Sequence, residues 1–581
     1  MASRTPNFDA KIKAILDATV PGERTCELTG EKWNMTEEEI SWYKRFSVPP
    51  SKRTPLARMR ILSGFLNGYQ WWWHWHSETG KPLLSYVHPS SGWKVLPDQE
   101  WFARDFSSET VDGIGDQLFF GQFRHFQEKI PLKATNNVIE PEHSMALGSK
   151  GDIDSYFVAD GAKNRECFFT LFSAMSERSA EIHNVLQATD SFHINDAFNV
   201  FHSQYASDLR GLSHSAFAFV ASDCSDCFGV ANRKHKRHLF FNEPLTEEDY
   251  KKRRSAIDLG RRSVVETWKK KFHTFLSEDV VWPQNMNWNT EGCEGEYLVG
   301  ARAARFCFAC VEKPTNLYYV AFTAKEARDS SFLIGASDAL DCYQCAFVEQ
   351  CSRCCFSYSL LRCQNMEYCF ECHGCENCFG CVGLQRKKFH IFNKPYEEGI
   401  YDQKVDEIKS AMLDRGEYGE FFPLSFSPVY FLQSVSAMYW LSGDVEAKQL
   451  GAALYDPSSA DAIGEGRVDS SMARSAAEIP DSIDEIGDEW CGVPIRDDTL
   501  GRYFTFLKPE IALYKRLRVA PPDKHFIRRM VEMIREANSA VFDTSTCLKC
   551  GKGIIISKNV TFPKRKIYCM PCYLAYLEKN G

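Results

Sequence analysis

YCFECHGCENCFGCVG, residues 368–383, puts a cysteine at every third position: Cys369, Cys372, Cys375, Cys378 and Cys381. Overlapping CxxC is the spacing that zinc and iron–sulfur sites use. It is also what a repeating backbone gives when one small residue must recur in one place. A longer span separates the two readings. Cys342, Cys354 and Cys378 are in step at intervals of 12 or 24, with Met366 in the remaining slot. Cys351, Cys363 and Cys375 make a second column at the same interval, and Cys345, Cys369 and Cys381 make a third.

The same period recurs upstream. CSDCFGVANRKHKRHLFFNEPLTEEDY (224–250) aligns without a gap on CENCFGCVGLQRKKFHIFNKPYEEGIY (375–401) at an offset of 151. Projected back, the first column becomes Ser191, Ser203, Ser215 and Cys227, and twelve-residue steps carry it on to Ser179 and Cys167. The second column becomes Val200, Leu212 and Cys224, and the third Ile194, Ala206, Ala218 and Val230. A fixed period with small or apolar residues in register marks a stacked solenoid. Each coil takes about twelve residues and stacks at strand spacing of roughly 4.8 Å. So narrow a coil favours Cys, Ser, Ala and Val inside, where Cys acts as a small hydrophobe. Metal ligands would have to persist where the fold persists, and Ser, Ala, Ile, Val and Leu cannot hold zinc or a cluster. The ferredoxin run also needs a fourth cysteine after three residues and then Pro. The thiols of 342–381 therefore read as buried filling.

A second duplication joins the chain ends at an offset of 471: EISWYKRFSVPPSK from Glu39 matches EIALYKRLRVAPPDK from Glu510. Gly30 falls on Gly501, and Gly80-Lys81 on Gly551-Lys552. The expected fold is mainly β with flanking helices: two tandem short-coil β-solenoid domains between zinc-ribbon-like α+β terminal modules. The expected domains are a degenerate zinc-ribbon-like module (1–140), a first solenoid with its cap (150–260), a connector (261–312) and a second, Cys-rich solenoid with its cap (313–412). A connector with an acidic flexible linker (413–490) and a C-terminal zinc-ribbon module (491–581) complete the chain. The stretch DPSSADAIGEGRVDSSMARSAAEIPDSIDEIGDE carries the linker composition.

The strongest chemical signal is TCLKCGKGIIISKNVTFPKRKIYCMPCYL. Two CxxC knuckles, Cys547 with Cys550 and Cys569 with Cys572, match one structural Zn2+ in a closed four-thiolate site. At the N-terminal copy the four positions hold His76, Thr79, Asp98 and Trp101, which predicts a ribbon held by apolar packing instead. WWWHWH (71–76) reads as core or interface packing, with a stacking surface for a sugar or base as its alternative. Each solenoid ends in a basic loop: Arg233, Lys234, Lys236 and Arg237 in one, Arg386, Lys387 and Lys388 in the other. Solvated loops are the plain reading, and phosphate contacts the sharper one.

The 581 residues need several domains. The net charge of −8 argues against indiscriminate coating of nucleic acid. MASRTPNFDAKIKAI lacks a secretory h-region, and no run of about 18 apolar residues suggests a membrane span. The expectation is a cytoplasmic protein whose 23 cysteines are thiols or metal ligands, an odd number that forbids complete pairing.

The chain resembles an uncharacterised family of small-genome uncultured bacteria with zinc-ribbon termini and Cys-rich repeats. The likeness rests on CFGC (378–381) with IFNK (391–394), YGEFFPLSFSP (418–428), RDFSSE…FFGQF (104–123) and the C-terminal ribbon. No activity follows from it. Where the family has a CxxCG knuckle this chain has CELTG (26–30), and VPPSKRTPLARMR stands where a second cysteine pair is usual, so no zinc is expected there.

GxxxxGK[ST], GxSxG, HExxH and a strand-to-helix GxGxxG are absent. Asp190, His193, His202 and His214 form no readable acid–base pattern. The sequence therefore predicts a non-enzymatic scaffold or self-assembling protein with a protein partner or a second copy. An RNA- or ribosome-associated binder is the alternative, and an enzyme with an unrecognised cleft the third reading.

Overall fold

The computed structural model describes residues 4–69, 72–111, 118–455 and 470–581. The chain is mainly β, in several sheets. The largest sheet has ten strands in chain order, from Met145–Leu147 to Glu243–Pro244, all parallel but the last pair. Neighbours across it lie twelve residues apart: Ile182 beside Ile194, Ile194 beside Ala206, Ala206 beside Ala218, Ala218 beside Val230. A second parallel ladder runs from Glu294–Glu296 to Lys394–Pro395 in sheets of six and four strands, joined by bridges such as Ser352 to Gln364.

Along both ladders every third residue tends to take a left-handed backbone, as Asp341, Gln344, Phe347, Gln350 and Arg353 do at φ between 45° and 55°. The residue after each bend is buried: Cys342, Cys345, Val348, Cys351 and Cys354. A left-handed φ costs a non-glycine residue about 1–2 kcal/mol. Ladder hydrogen bonds on either side of each bend offset that cost. Tyr343 N–H donates to Cys354 O at 2.9 Å, and Phe356 N–H to Tyr343 O at 3.0 Å.

All three columns read from the sequence are buried, in two interior clusters, one per ladder. Hydrogen bonding explains why Ser and Cys interchange in the first of them. The inward residue's own N–H lies outside the ladder, and the side chain one step earlier takes it. Ser179 Oγ donates to Glu177 O (2.9 Å) and accepts from Ser191 N–H (3.1 Å). Ser191 and Ser203 repeat the arrangement. In the second ladder the second column caps in the same way: Cys351 Sγ accepts Cys363 N–H, and Cys363 Sγ accepts Cys375 N–H, both at 3.4 Å. An unmet buried donor costs about 1–3 kcal/mol. Cys363→Ser is therefore expected to change unfolding free energy by less than about 1 kcal/mol, and Cys363→Ala to cost about 1–3. Equal losses in denaturant titrations would refute this account of the column.

The ladders start earlier than 150 and 313. Ile139 bridges Lys150, and Trp288 bridges Val299, so the stretch expected as a connector (261–312) contains the first steps of the second ladder. These steps span eleven residues, and the next, Arg302 to Thr315 and Thr315 to Arg328, span thirteen. A strict count of twelve cannot see them. The rest of that connector is the helix Arg262–Glu278 and the strand Val281–Pro283. The linker expectation also changes for 470–490, where Ile479, Ile483, Ile486 and Trp490 are buried and Arg261 bridges Ser482. Apolar residues spaced through an acidic stretch give it a core contact that composition hides. Its remaining stretch, 456–469, lies outside the described residues.

The two ladders lie side by side in opposite directions. Lys150 pairs with Glu349 (2.9 Å), Phe172 stacks on Phe322 (4.8 Å), and Arg210 lies over Trp288 (4.3 Å). The terminal segments cross over them: the N-terminal one packs on the second ladder, the C-terminal one on the first. The offset of 471 relates helix Glu37–Phe46 to Lys508–Leu517, and strand Pro82–Ser85 to the first four residues of Gly553–Ser557. Matching ion pairs dock the two segments, Arg45 with Asp341 and Arg516 with Asp190.

Beside the seam between the ladders, burial raises the Asp160 carboxyl to about 7, and its Oδ2 has no hydrogen-bond partner. A carboxyl raised on folding stabilises fully below its unfolded value and loses that contribution as pH rises through the folded one. Asp160→Asn should thus raise Tm at pH 8 and leave it unchanged at pH 4. An equal shift at both values would show that Asp160 does not titrate in this window.

Candidate metal centre and the surfaces around it

Cys547 follows the strand Phe542–Thr546, whose partner is Gly553–Ser557. Between them Cys547 N–H donates to Lys552 O and Gly551 N–H to Cys547 O, both at 2.9 Å. Gly551 sits at φ 75°, where a side chain would be strained. Cys569 caps the helix Met570–Asn580 and Cys572 lies in its first turn. The four sulfurs all lie within 4.8 Å of one another, with Cys550 Sγ 3.7 Å from Cys569 Sγ. Among the described residues no other group of three or more ligands gathers so closely. Burial acts to raise the Cys547 thiol, and hydrogen bonds from the Cys569, Cys550 and Lys549 backbone outweigh it, bringing it to about 6. Four thiolates can hold a metal ion here and would leave it no open position for a substrate.

The same turn occurs three more times among the described residues. Cys26 N–H donates to Glu31 O (2.8 Å), and His76 N–H to Lys81 O (2.8 Å). Gly501 N–H donates to Asp497 O (2.8 Å), and Gly30, Gly80 and Gly501 share the positive φ. The Asp497 turn was missed in the sequence, although the match of Gly30 to Gly501 signalled it. The four N-terminal residues at the ligand positions are engaged elsewhere or apart. His76 Nε2 meets Glu100 (3.1 Å), Asp98 accepts the N–H groups of Thr135 and Asn137, and Trp101 Nε1–H donates to Pro131 O. Thr79 N–H lies 3.4 Å from His76 Nδ1. Of WWWHWH, Trp71 lies outside the described residues; Trp72 is buried against His88 and Tyr430, while Trp75 is exposed.

The two basic loops differ. At the second ladder Lys387 pairs with Asp105 (2.8 Å) and Lys388 with Glu376 (2.6 Å), leaving Arg386 exposed. At the first, Arg233 folds onto Ala231 O and Asn232 O, while Lys234, Lys236 and Arg237 are exposed with no carboxylate partner among the described residues. The loops pack against different elements and do not form one surface.

One polar cluster was not anticipated. Glu181 Oε2 meets His193 Nδ1 at 2.7 Å and also pairs with Arg529, while Lys269 meets Glu536 at 2.6 Å. Burial acts to raise the Glu181 carboxyl, and Arg529 and His193 outweigh it and hold it below its ordinary value. The adjoining cavity of about 30 Å³ has room for water and not for a substrate.

No helix among the described residues is long and apolar enough to cross a membrane. Comparison with family models, with curated proteins and with solved structures gives no match.

Proposed function

We propose that the chain is a non-enzymatic scaffold or self-assembling interaction protein, built on two β-solenoids and locked by one structural zinc ribbon. The observation that carries this reading is the twelve-residue parallel pairing around two separate interior clusters, which yields long rigid faces. The duplicated terminal modules then act as clamps, each on the ladder that it covers. Zinc suits the ribbon because four thiolates at CxxC spacing close a tetrahedral shell. A stable homodimer, cage or filament by light scattering and microscopy supports the scaffold. A strict monomer that retains no partner in pull-downs overturns it.

A second reading, an RNA- or ribosome-associated protein, is favoured by the unpaired cations of the first ladder's end loop. Salt-sensitive RNA retention would support it.

A further inference from the structure

The two ladder ends have one design and opposite charge. Residues 233–271, covering the first end loop and the helices after it, hold thirteen Lys and Arg against six Asp and Glu. The stretch at the 151 offset, 384–422, holds seven against eight. Since the fold is built at both ends, it does not require the positive charge at one of them. Lys252 of helix Glu247–Ser255 and Lys270 of helix Arg262–Glu278 join Lys234, Lys236 and Arg237 as exposed cations without a carboxylate partner among the described residues.

Between the helices that carry Lys252 and Lys270 lies an open hollow of about 660 Å³, lined by Phe240, Ile257, Val264 and Trp268 with Arg253 and Thr267. Phe240 meets Trp268 edge-on at 5.6 Å and stacks on Phe228 at 5.1 Å, while Arg253, paired with Glu243, lies 5.6 Å above Phe240 and the Lys271 ammonium 4.2 Å above Trp268. At the second ladder a different element covers the matching rings, where Trp268 covers Phe228 and Phe241 at the first. There Phe119 packs on Phe379 and Phe392, and Phe120 is covered by Phe422 and Phe426.

We propose that this end of the first ladder binds single-stranded nucleic acid, with phosphates along the exposed cations and one unpaired base in the hollow against Trp268 and Phe240. This rests on the second reading above and narrows it to one end and to single strands. Phosphate contacts alone would accept a duplex equally. An aromatic hollow with an arginine at its rim accepts only a base whose face is free.

The test is fluorescence anisotropy on the full chain with labelled single-stranded RNA, the same RNA as a duplex, and phosphatidylserine vesicles. The single strand should bind, more weakly at about 200 mM than at 50 mM salt. Charge reversal of Lys234, Lys236 and Arg237 together should weaken it about a hundredfold, and the same change at Lys387 and Lys388 should not. Thr267→Glu leaves the helix packing intact and should weaken single strands about tenfold more than duplex. Trp268→Ala, checked for an unchanged melting profile, should act in the same direction. Equal affinity for duplex and single strand, or no selective effect of Thr267→Glu, overturns the base-binding inference and leaves the charge-based reading standing. Binding of vesicles and of no RNA at either salt overturns both.

Discussion

Arg529→Ala is expected to lower the unfolding free energy by about 3–5 kcal/mol, the range found when one partner of a buried ion pair is removed. Arg529 and Glu181 are both buried, and the guanidinium also lies over Phe169 at 4.9 Å. Removing it leaves Glu181 buried with His193 alone and the neighbouring Glu510 without the cation that lowers its carboxyl; burial already raises Glu510 to about 7. The other half of the molecule shows how the site can be built differently. There Arg58 occupies the position of Arg529, and Phe332 that of Glu181, with the guanidinium 3.2 Å above the ring and Glu39 nearby at 3.7 Å. Glu181→Phe should therefore cost well under the loss at Arg529, because Glu510 can serve the cation as Glu39 serves Arg58. Denaturant midpoints of the two variants check this. An Arg529→Ala loss below about 1 kcal/mol, or equal losses, would show that the pair is solvated.

These pairs also explain what the sequence could reveal. The first column was legible because one chemical demand, a small side chain that caps an inward N–H, repeats every twelve residues, and the second and third were legible from cysteines in the same step. A fourth interior column, Ala336, Val348, Leu360, Cys372 and Leu384, went unread because its residues share burial but no chemical type. Polar pairs follow the same interval: His183 with Asn195, Asn184 with Asp196, Arg178 with Asp190 and Glu181 with His193. His193 thus had a signal, since residues twelve apart stack one above the other. Contacts between ladders had none. Lys150 with Glu349 and Phe172 with Phe322 depend on the antiparallel placement of two separate stacks, which no local period encodes. The knuckle turns could be read from Gly after a four-residue spacing, and the loss of a metal site at the His76 turn from Thr79 and Trp101 at two ligand positions; that Asp98 caps Thr135 and Asn137 instead had no local signal.

Cys569→Ser should abolish metal binding, expected at about one ion per chain, while Cys26→Ser should leave metal content unchanged. Metal-linked folding in isolated zinc peptides is worth about 10–16 kcal/mol, an upper bound for a ribbon that also packs on a larger body. The damage should spread along a definite path. Cys547 and Cys569 share an apolar cluster with Phe219, Phe228, Trp282 and Phe562. The strand Lys566–Tyr568 pairs with Val281–Pro283, and Tyr573 Oη donates to Asn232 Oδ1 at 2.7 Å. Releasing the ribbon thus uncovers the end of the first ladder. Hydrogen exchange should accelerate at 228–234, 281–283 and 542–568. The second ladder's end should stay protected, because it is covered by Trp101 and Phe106 of the N-terminal segment. A chelator should reproduce the pattern in the unaltered chain. Uniform loss of protection across both ladders would instead make the metal a global lock, and no loss at all would mean that apolar packing alone holds the ribbon in place.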